Sequence, residues 1–424
     1  MNRPLPPLWT RDFVLTVAGT AAFFAGFYLL IPVLPPYASA LGASKREIGL
    51  LYAVFPLAAA AARFVAGPRM DRSDRKPILL AGLAAFAVVV ALHGAVQTLG
   101  GLFVLRALHG MSWGCLTTAV SAMVSDLAPP SRRGEAIGFW GLAPTVAMAL
   151  APVAAEVILL KAGSVAAFFV AAALSALALA TFALVAEPAR QAAPDLPPAL
   201  PYSPATRLPS GADLPPALPY SPATRPPRPA GFPARLPRGA VLPAVVLFLS
   251  SLSYGALVAF LPVEMTPLPG RAGIFFSVYA LAILVTRPLA GRLSDRLGRG
   301  AVIHPGLALG AAGALLLGFA PATWALPIAA GLYGAGIGGC AFPGLMTLTV
   351  DRCPPRARGS ALAAYFTAYD FAIAGGSALL GLVYEARGFF ALCLVCAAAT
   401  VAGQVVLQLG GVKIRRGGES PALL

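Results

Sequence analysis

Long apolar runs separated by short polar segments recur along nearly the whole 424-residue chain. Each run holds about 20 residues, enough at a rise of about 1.5 Å per residue to cross a hydrocarbon core of about 30 Å. The pattern predicts twelve spanning helices, over residues 13–38, 48–67, 78–97, 102–125, 135–159, 164–186, 241–263, 273–290, 301–320, 323–349, 358–383 and 389–410. One long polar stretch, 187–240, is crowded with proline and separates six spans from six. The expected architecture is an all-α membrane protein: a six-helix bundle over 1–186, a Pro-rich linker over 187–240 and a second six-helix bundle over 241–424. The first apolar run is too long for a cleavable leader and no small-residue cleavage site precedes a soluble domain, so it is expected to stay as a span.

Composition points the same way. With 58% hydrophobic and 11% charged residues and a mean hydropathy of +0.80, the chain has too little polar surface to coat soluble domains of this length. The net charge of +15 does not imply nucleic acid, because the 31 basic residues are scattered among short loops without an aromatic-interleaved surface. Placing both termini in the cytoplasm puts 23 Lys/Arg in inside segments and five outside (Lys45, Arg46, Lys161, Arg271, Arg387), with Arg63, Arg106 and Arg287 inside spans. That asymmetry fits the positive-inside rule and predicts a prokaryotic inner-membrane protein in contact with lipid. Cys115, Cys340, Cys393 and Cys396 lie in spans and Cys353 in an inside loop, so no external disulfide framework is expected. His93 and His304 lack companions at metal-ligand spacing; neither a metal site nor a cofactor is expected.

Two repeats organise the chain. In the linker, DLPPALPYSPATR occurs at Asp195–Arg207 and again at Asp213–Arg225; proline at this density favours extended polyproline II, the behaviour of a tether. The second repeat relates the halves. Arg63, Gly67, Asp71, Arg72 and Arg75 recur 224 residues later as Arg287, Gly291, Asp295, Arg296 and Arg299. Asp126, Pro129, Pro130, Arg133, Gly134 and Ala136 recur 225 residues later as Asp351, Pro354, Pro355, Arg358, Gly359 and Ala361. An even number of spans per half keeps both copies on one side of the membrane, as a parallel repeat requires.

The segments GPRMDRSDRK (Gly67–Lys76) and GRLSDRLGRG (Gly291–Gly300) resemble the loop signature of the major facilitator superfamily, G-x-x-x-D-R-x-G-R-K/R, departing from it at Asp74 and Gly300. The resemblance extends over essentially the whole chain and implies two six-helix bundles that rock about a central cavity. It implies a gating role for Gly67, Asp71, Arg72, Arg75, Gly291, Asp295, Arg296 and Arg299: the glycine lets helices approach, the aspartate can face a helix N-terminus, and the arginines anchor the loop. A purely structural anchor is the other reading. Span five resembles the Gly-Pro motif of the family's antiporters, with Ala151 in place of the glycine before Pro152.

In span four, Arg106, Gly110 and Gly114 resemble the family's R-x-x-x-G-x-x-x-G stretch, whose arginine faces the cavity. Arg106, His109 and Trp113 are spaced i, i+3, i+7, which predicts a guanidinium, an imidazole and an indole on one helix face. An intramembrane charge is costly unless paired or hydrated, so Arg106 is expected at the cavity or as an interhelix brace. Gly110–Gly114 also fits G-x-S-x-G, but that elbow needs a strand-to-helix turn and Ser112 lies inside an apolar helix, so no enzyme is expected.

Asp370, about 12 residues or 18 Å from the inner end of span eleven, is expected near the bilayer midplane as a proton carrier, or as a carboxylate braced by a neighbouring Tyr or Arg. His109 is the second candidate for proton coupling. Glu156 and Glu264 fall at outer span ends, where headgroup hydration accounts for them. Phe27, Tyr28, Tyr254 and Tyr369 join Arg106 and Trp113 as candidate cavity lining suited to amphipathic solutes.

No G-x-x-x-x-G-K-[ST] loop is present, so an ion gradient rather than ATP is the expected energy source. The runs RGEAIGFWGLAPTVAMALAP and FTAYDFAIAGGS resemble the twelve-span drug and sugar efflux branch, which implies export of a small organic molecule in exchange for protons, by a monomer. Uptake of a small anion or metabolite with protons, using Arg106, is the rival reading. A non-transporting sensor would call for a folded soluble domain or a catalytic constellation, and the sequence offers neither.

Overall fold

Polar caps start several crossings. Thr10 Oγ1 accepts the Phe13 N–H at 3.3 Å to open α1 (Arg11–Ala40), and Thr98 Oγ1 accepts the Gly101 N–H at 3.2 Å to open α4 (Leu99–Leu127). Ser44 and Glu47 form a reciprocal capping box for α2 (Lys45–Met70), with contacts of 2.9 Å from Ser44 N–H and 3.2 Å back from Glu47 N–H. The helices continue as α3 (Arg75–His93), α5 (Arg133–Ala183), α6 (Arg238–Glu264), α7 (Arg271–Leu297), α8 (Gly300–Phe319), α9 (Ala325–Tyr333), a π-helical turn (Gly334–Ala341), α10 (Phe342–Asp351) and α11 (Arg358–Leu409). This computed structural model describes residues 7–70, 75–129, 132–186, 237–268, 270–319, 324–354 and 357–412. The linker as far as residue 236, and Asp71 and Arg72, lie outside them; the linker's expected end at 240 moves back, because α6 already begins at Arg238.

Eight described stretches are long and apolar enough to cross a membrane, and two of them, in α5 and α11, run to 49 residues, about twice what one crossing needs. Each breaks once, at Gly163 and Gly388, both with φ of 80°. A side chain is strained at that φ, so glycine is the residue that lets one crossing end and the next begin. Each long helix therefore supplies two crossings. With α2 (26 residues) and α4 (29 residues), each long enough to cross, the described crossings number twelve.

The sequence repeat reappears in three dimensions. Gly163 and Gly388 are 225 positions apart. A Cβ at Gly110 or Gly114 of α4 would strike the carbonyls of Phe55 or Ala59 on α2, and 224 residues later Gly334 packs on the Tyr279 carbonyl and Gly338 on the Ile283 side chain of α7. Within the first bundle α1 packs on α5 and α2 on α4; within the second α6 packs on α11 and α7 on the π-interrupted crossing. Between bundles, α2 meets α11, α5 meets α7, and α1 meets α6. Large apolar side chains such as Val104, Leu150, Phe169, Leu281 and Leu379 point outward and exposed, as a lipid-facing surface requires.

The two ends of the molecule differ. At the distal face, where α1 ends, the bundles are in contact: a Cβ at Gly49 of α2 would hit the Ser377 carbonyl of α11, and one at Gly273 of α7 would hit Pro152 and Val153 of α5. Ser277 donates to the Ala149 carbonyl across the same seam. At the proximal face, where α1 begins, a Cβ at Gly291 would meet nothing within 4 Å among the described residues. Gly291 instead borders a small pocket with Cys340, Pro343 and Gly344 of the neighbouring crossing, so the close approach expected at this glycine does not occur among the described residues.

Candidate functional site

A cavity of about 980 Å³ lies between the bundles. It reaches toward the proximal face, where Arg75, Ser121 and Ala122 line it, and is bounded by α1, α2, α4 and α5 on one side and by α6, α7, α10, α11 and the π-helical turn on the other. The glycine contacts of α4 on α2 explain one wall. They bring Arg106 over the rings of Tyr52 and Phe55, with its guanidinium carbon 4.9 and 4.2 Å from their centroids. Beside them Phe27 and Trp113 stack at 4.1 Å. On the opposite wall Tyr254 stacks with Tyr279 at 5.9 Å and with Tyr369 at 6.3 Å.

Arg106, Trp113, Phe27, Tyr28, Tyr254 and Tyr369 all line this cavity, as does Asp370. His109 does not. Three residues along a helix turn about 300°, which sets it about 60° aside from Arg106. It is fully buried in the first bundle behind the cavity wall, its ring against those of Phe86 and Phe55 at 4.4 and 5.0 Å and 3.2 Å from Arg106 Nη1. Ser112 donates to the His109 carbonyl at 2.9 Å, a within-helix bond that leaves no nucleophile arrangement.

Asp370 is paired. Its carboxylate takes a hydrogen-bonded ion pair from Arg63, so a residue of α2 and a residue of α11 join the two bundles across the cavity. The side chains are 34% and 16% exposed, respectively, so the pair is only partly screened by solvent. The repeat had marked Arg63 and Arg287 as a matched pair inside spans, but only as evidence of common ancestry. Both line the cavity. Tyr52, Phe55 and Tyr279 also escaped the sequence reading, since aromatic residues in apolar helices are indistinguishable there from core.

Arg75 pairs with Asp126 and donates to the Ala122 carbonyl at 2.8 Å. Arg299, its repeat mate, pairs with Asp351 at 2.8 Å and with Asp295 at 2.7 Å. The same arginine-to-aspartate tie thus recurs at the proximal end of each bundle. Asp295, largely exposed, meets Arg299 in the turn between α7 and α8, Arg296 is exposed, and Gly67 lies within α2.

Glu156 departs from its expected hydration: only 8% of it is exposed, because α5 and α7 close over it. Its carboxylate lies against the start of α7 at Gly273, with Oε2 buried and without a hydrogen-bond partner among the described residues. Across the other seam, Glu385 of α11 accepts the Arg46 N–H at the start of α2, at 2.9 Å. Glu264 accepts the Tyr384 hydroxyl at 2.5 Å.

Comparison with known proteins agrees with this architecture. The family model described as Major Facilitator Superfamily matches residues 16–266 and 244–412. The multidrug resistance protein MdtG of Enterobacter lignolyticus is 25% identical over 422 residues, covering 97% of this chain and 94% of that protein. The inner membrane transport protein YajR of Escherichia coli is 33% identical over 156 residues, 37% of this chain and 34% of that protein. Among solved structures, the nucleoside transporter NupG has a TM-score of 0.70 at 14% identity, covering 94% of this chain and 99% of its own. A peptide-bound POT family transporter has a TM-score of 0.74 at 12% identity, covering 96% and 97%. With two family matches that together run nearly end to end on a twelve-crossing fold built around a central cavity, the chain belongs to the Major Facilitator Superfamily and is an integral membrane transport protein, not an enzyme.

Proposed function

We propose that the chain exports a small organic molecule across the inner membrane in exchange for protons, with both termini cytoplasmic. The halves 1–186 and 241–424 would rock about the cavity, and 187–240 would tether them. The observation that carries this reading is the Arg63–Asp370 pair: a carboxylate in the cavity whose partner belongs to the other bundle. While Asp370 is ionised it holds Arg63 and ties α2 to α11. A proton on the carboxylate removes that charge and frees the arginine, so proton occupancy is linked to the contact between halves. With cytoplasmic termini, the closed distal seams and proximal opening correspond to the substrate-loading state, in which the proton has left and the pair is formed. The full-length relative named as a multidrug resistance protein supports the export direction.

Inside-out proteoliposomes with an acidic lumen and a luminal pH dye test the proposal, using a panel of amphipathic organic compounds as probes. An exported compound raises luminal pH. A compound taken up with protons in the rival mode lowers it. Asp370→Asn keeps size and hydrogen bonding but cannot titrate, so it should abolish proton movement while probe counterflow persists. An Asn variant that still moves protons would place the coupling elsewhere.

A further inference from the structure

Charge in the cavity is unbalanced. Among the described residues its lining holds four arginines, Arg63, Arg75, Arg106 and Arg287, and one carboxylate, Asp370. Asp370 neutralises Arg63 and Asp126 neutralises Arg75. Arg106 rests on aromatic faces, with its Nε buried and without a hydrogen-bond partner. Arg287 is exposed to the cavity and forms no ion pair among the described residues.

The repeat explains why Arg287 stands alone. Arg287 is the mate of Arg63 at an offset of 224. At the offset of 225, the mate of Asp370 is Thr145 of α5, which lines the cavity on the seam that α5 forms with α7. One seam carries arginine and acid; the related seam carries arginine and a hydroxyl. Tyr28 and Tyr279 line the same cavity as Arg287 and bring hydroxyls but no carboxylate to it.

We infer that the cavity takes an amphipathic organic anion, with a carboxylate, sulfonate or phosphonate head on Arg287 and an apolar or aromatic body against the Tyr254, Tyr279 and Tyr369 rings. The inference rests on the reading that this cavity is the transport site and names its substrate class. The planar guanidinium offers a bidentate fit to such heads, and the low-dielectric wall strengthens it. A cationic drug would instead meet two uncompensated arginines. Arg287 is a specificity-determining residue in this scheme, and Arg106 sets the same sign of potential from the opposite wall.

The test uses the full chain in lipid nanodiscs and three probes sharing one ring system: naphthalene-2-sulfonate, 2-naphthylmethanol and 2-naphthylmethylammonium. Calorimetric titration, referenced to empty nanodiscs, should rank the sulfonate tightest, by about tenfold or more over the ammonium, the scale of one charge-assisted hydrogen-bonded contact. Arg287→Gln should remove that margin, Arg287→Lys should keep only the part due to charge without the bidentate fit, and Arg287→Glu should invert it. The alcohol reports whether each variant still has a folded cavity. Equal or tighter binding of the ammonium by the natural chain overturns the inference, as does a sulfonate affinity that Arg287→Gln leaves unchanged. Because binding is read without a gradient, a failure of proton exchange would not touch this result, and a cation preference alongside intact proton exchange would overturn the charge assignment alone.

Discussion

Arg63 on α2 and Asp370 on α11 form an ion pair between the two bundles, whereas among the described residues their repeat mates Arg287 and Thr145 form none. A pair that ties the halves should cost stability when either member is removed, since the survivor is a partly buried charge. For Arg63→Ala the expected loss is about 1–3 kcal/mol, below the fully buried case because solvent screens part of the interaction. The exchanged variant, Arg63→Asp with Asp370→Arg, should regain most of that stability while losing proton coupling, because its carboxylate sits on the wrong helix. Thermal unfolding in lipid beside luminal pH traces separates the two effects. Wild-type unfolding in Arg63→Ala would mean that the pair does not hold the halves together.

Arg106 stacks on Tyr52 and Phe55 at 4.9 and 4.2 Å. Lysine keeps the charge but loses the flat surface that two rings share, so Arg106→Lys should lower the unfolding temperature and cut transport about tenfold, with cation–π contacts worth about 0.5–2 kcal/mol each. Substituting Tyr52 by leucine should reproduce part of the stability loss and leave the charge in place. If Arg106→Lys unfolds and transports as the natural chain does, the stacking carries nothing.

The number of crossings, the parallel repeat and the cavity position of Arg106 and Trp113 were legible because each has a periodic or local signature: apolar run length, a fixed offset, helical spacing. The partner of Asp370 was not. Its 307-residue separation from Arg63 is set by how two bundles meet, and no local pattern encodes that distance. His109 shows the limit of spacing arguments, for an offset of about 60° around α4 is enough to turn a side chain from the cavity into the bundle. Glu156 shows another: its position near a span end suggests hydration, but an inter-bundle contact determines its burial. The π-helical turn at Gly334–Ala341 gave only its glycine content as a hint.

Gly114 and Gly138 give a matched contrast. A Cβ at Gly114 would meet the Ala59 backbone, whereas one at Gly138 meets nothing within 4 Å. Gly114→Ala should force α2 and α4 apart at a cost of about 1–3 kcal/mol and displace Arg106. Gly138→Ala should be neutral or slightly stabilising, since alanine favours helix by up to about 1 kcal/mol. Melting curves of the two variants decide the matter, and equal curves would show that the α2–α4 contact yields freely.

The distal face offers a test of how the closed side is held. Glu385 of the second bundle accepts the Arg46 N–H at 2.9 Å at the start of α2, and Glu156 of the first bundle lies against Gly273 at the start of α7. Each bundle therefore presents a carboxylate to the positive end of a helix in the other, on the two seams related by the repeat. Glutamine at either position keeps an acceptor but removes the charge, forfeiting about 0.3–1 kcal/mol per site and up to about 2 kcal/mol where burial strengthens the interaction. Neither variant should unfold the chain, because each bundle's own packing is untouched. The double variant should instead move the population toward a state with parted distal ends by roughly fivefold or more. Spin labels at Lys161 and Arg387, exposed near the distal ends of opposite bundles, would report this as a growing long-distance component on a background with the native cysteines replaced. A distance distribution unchanged in the double variant would assign distal closure to the close backbone packing at Gly49 and Gly273 rather than to the two carboxylates.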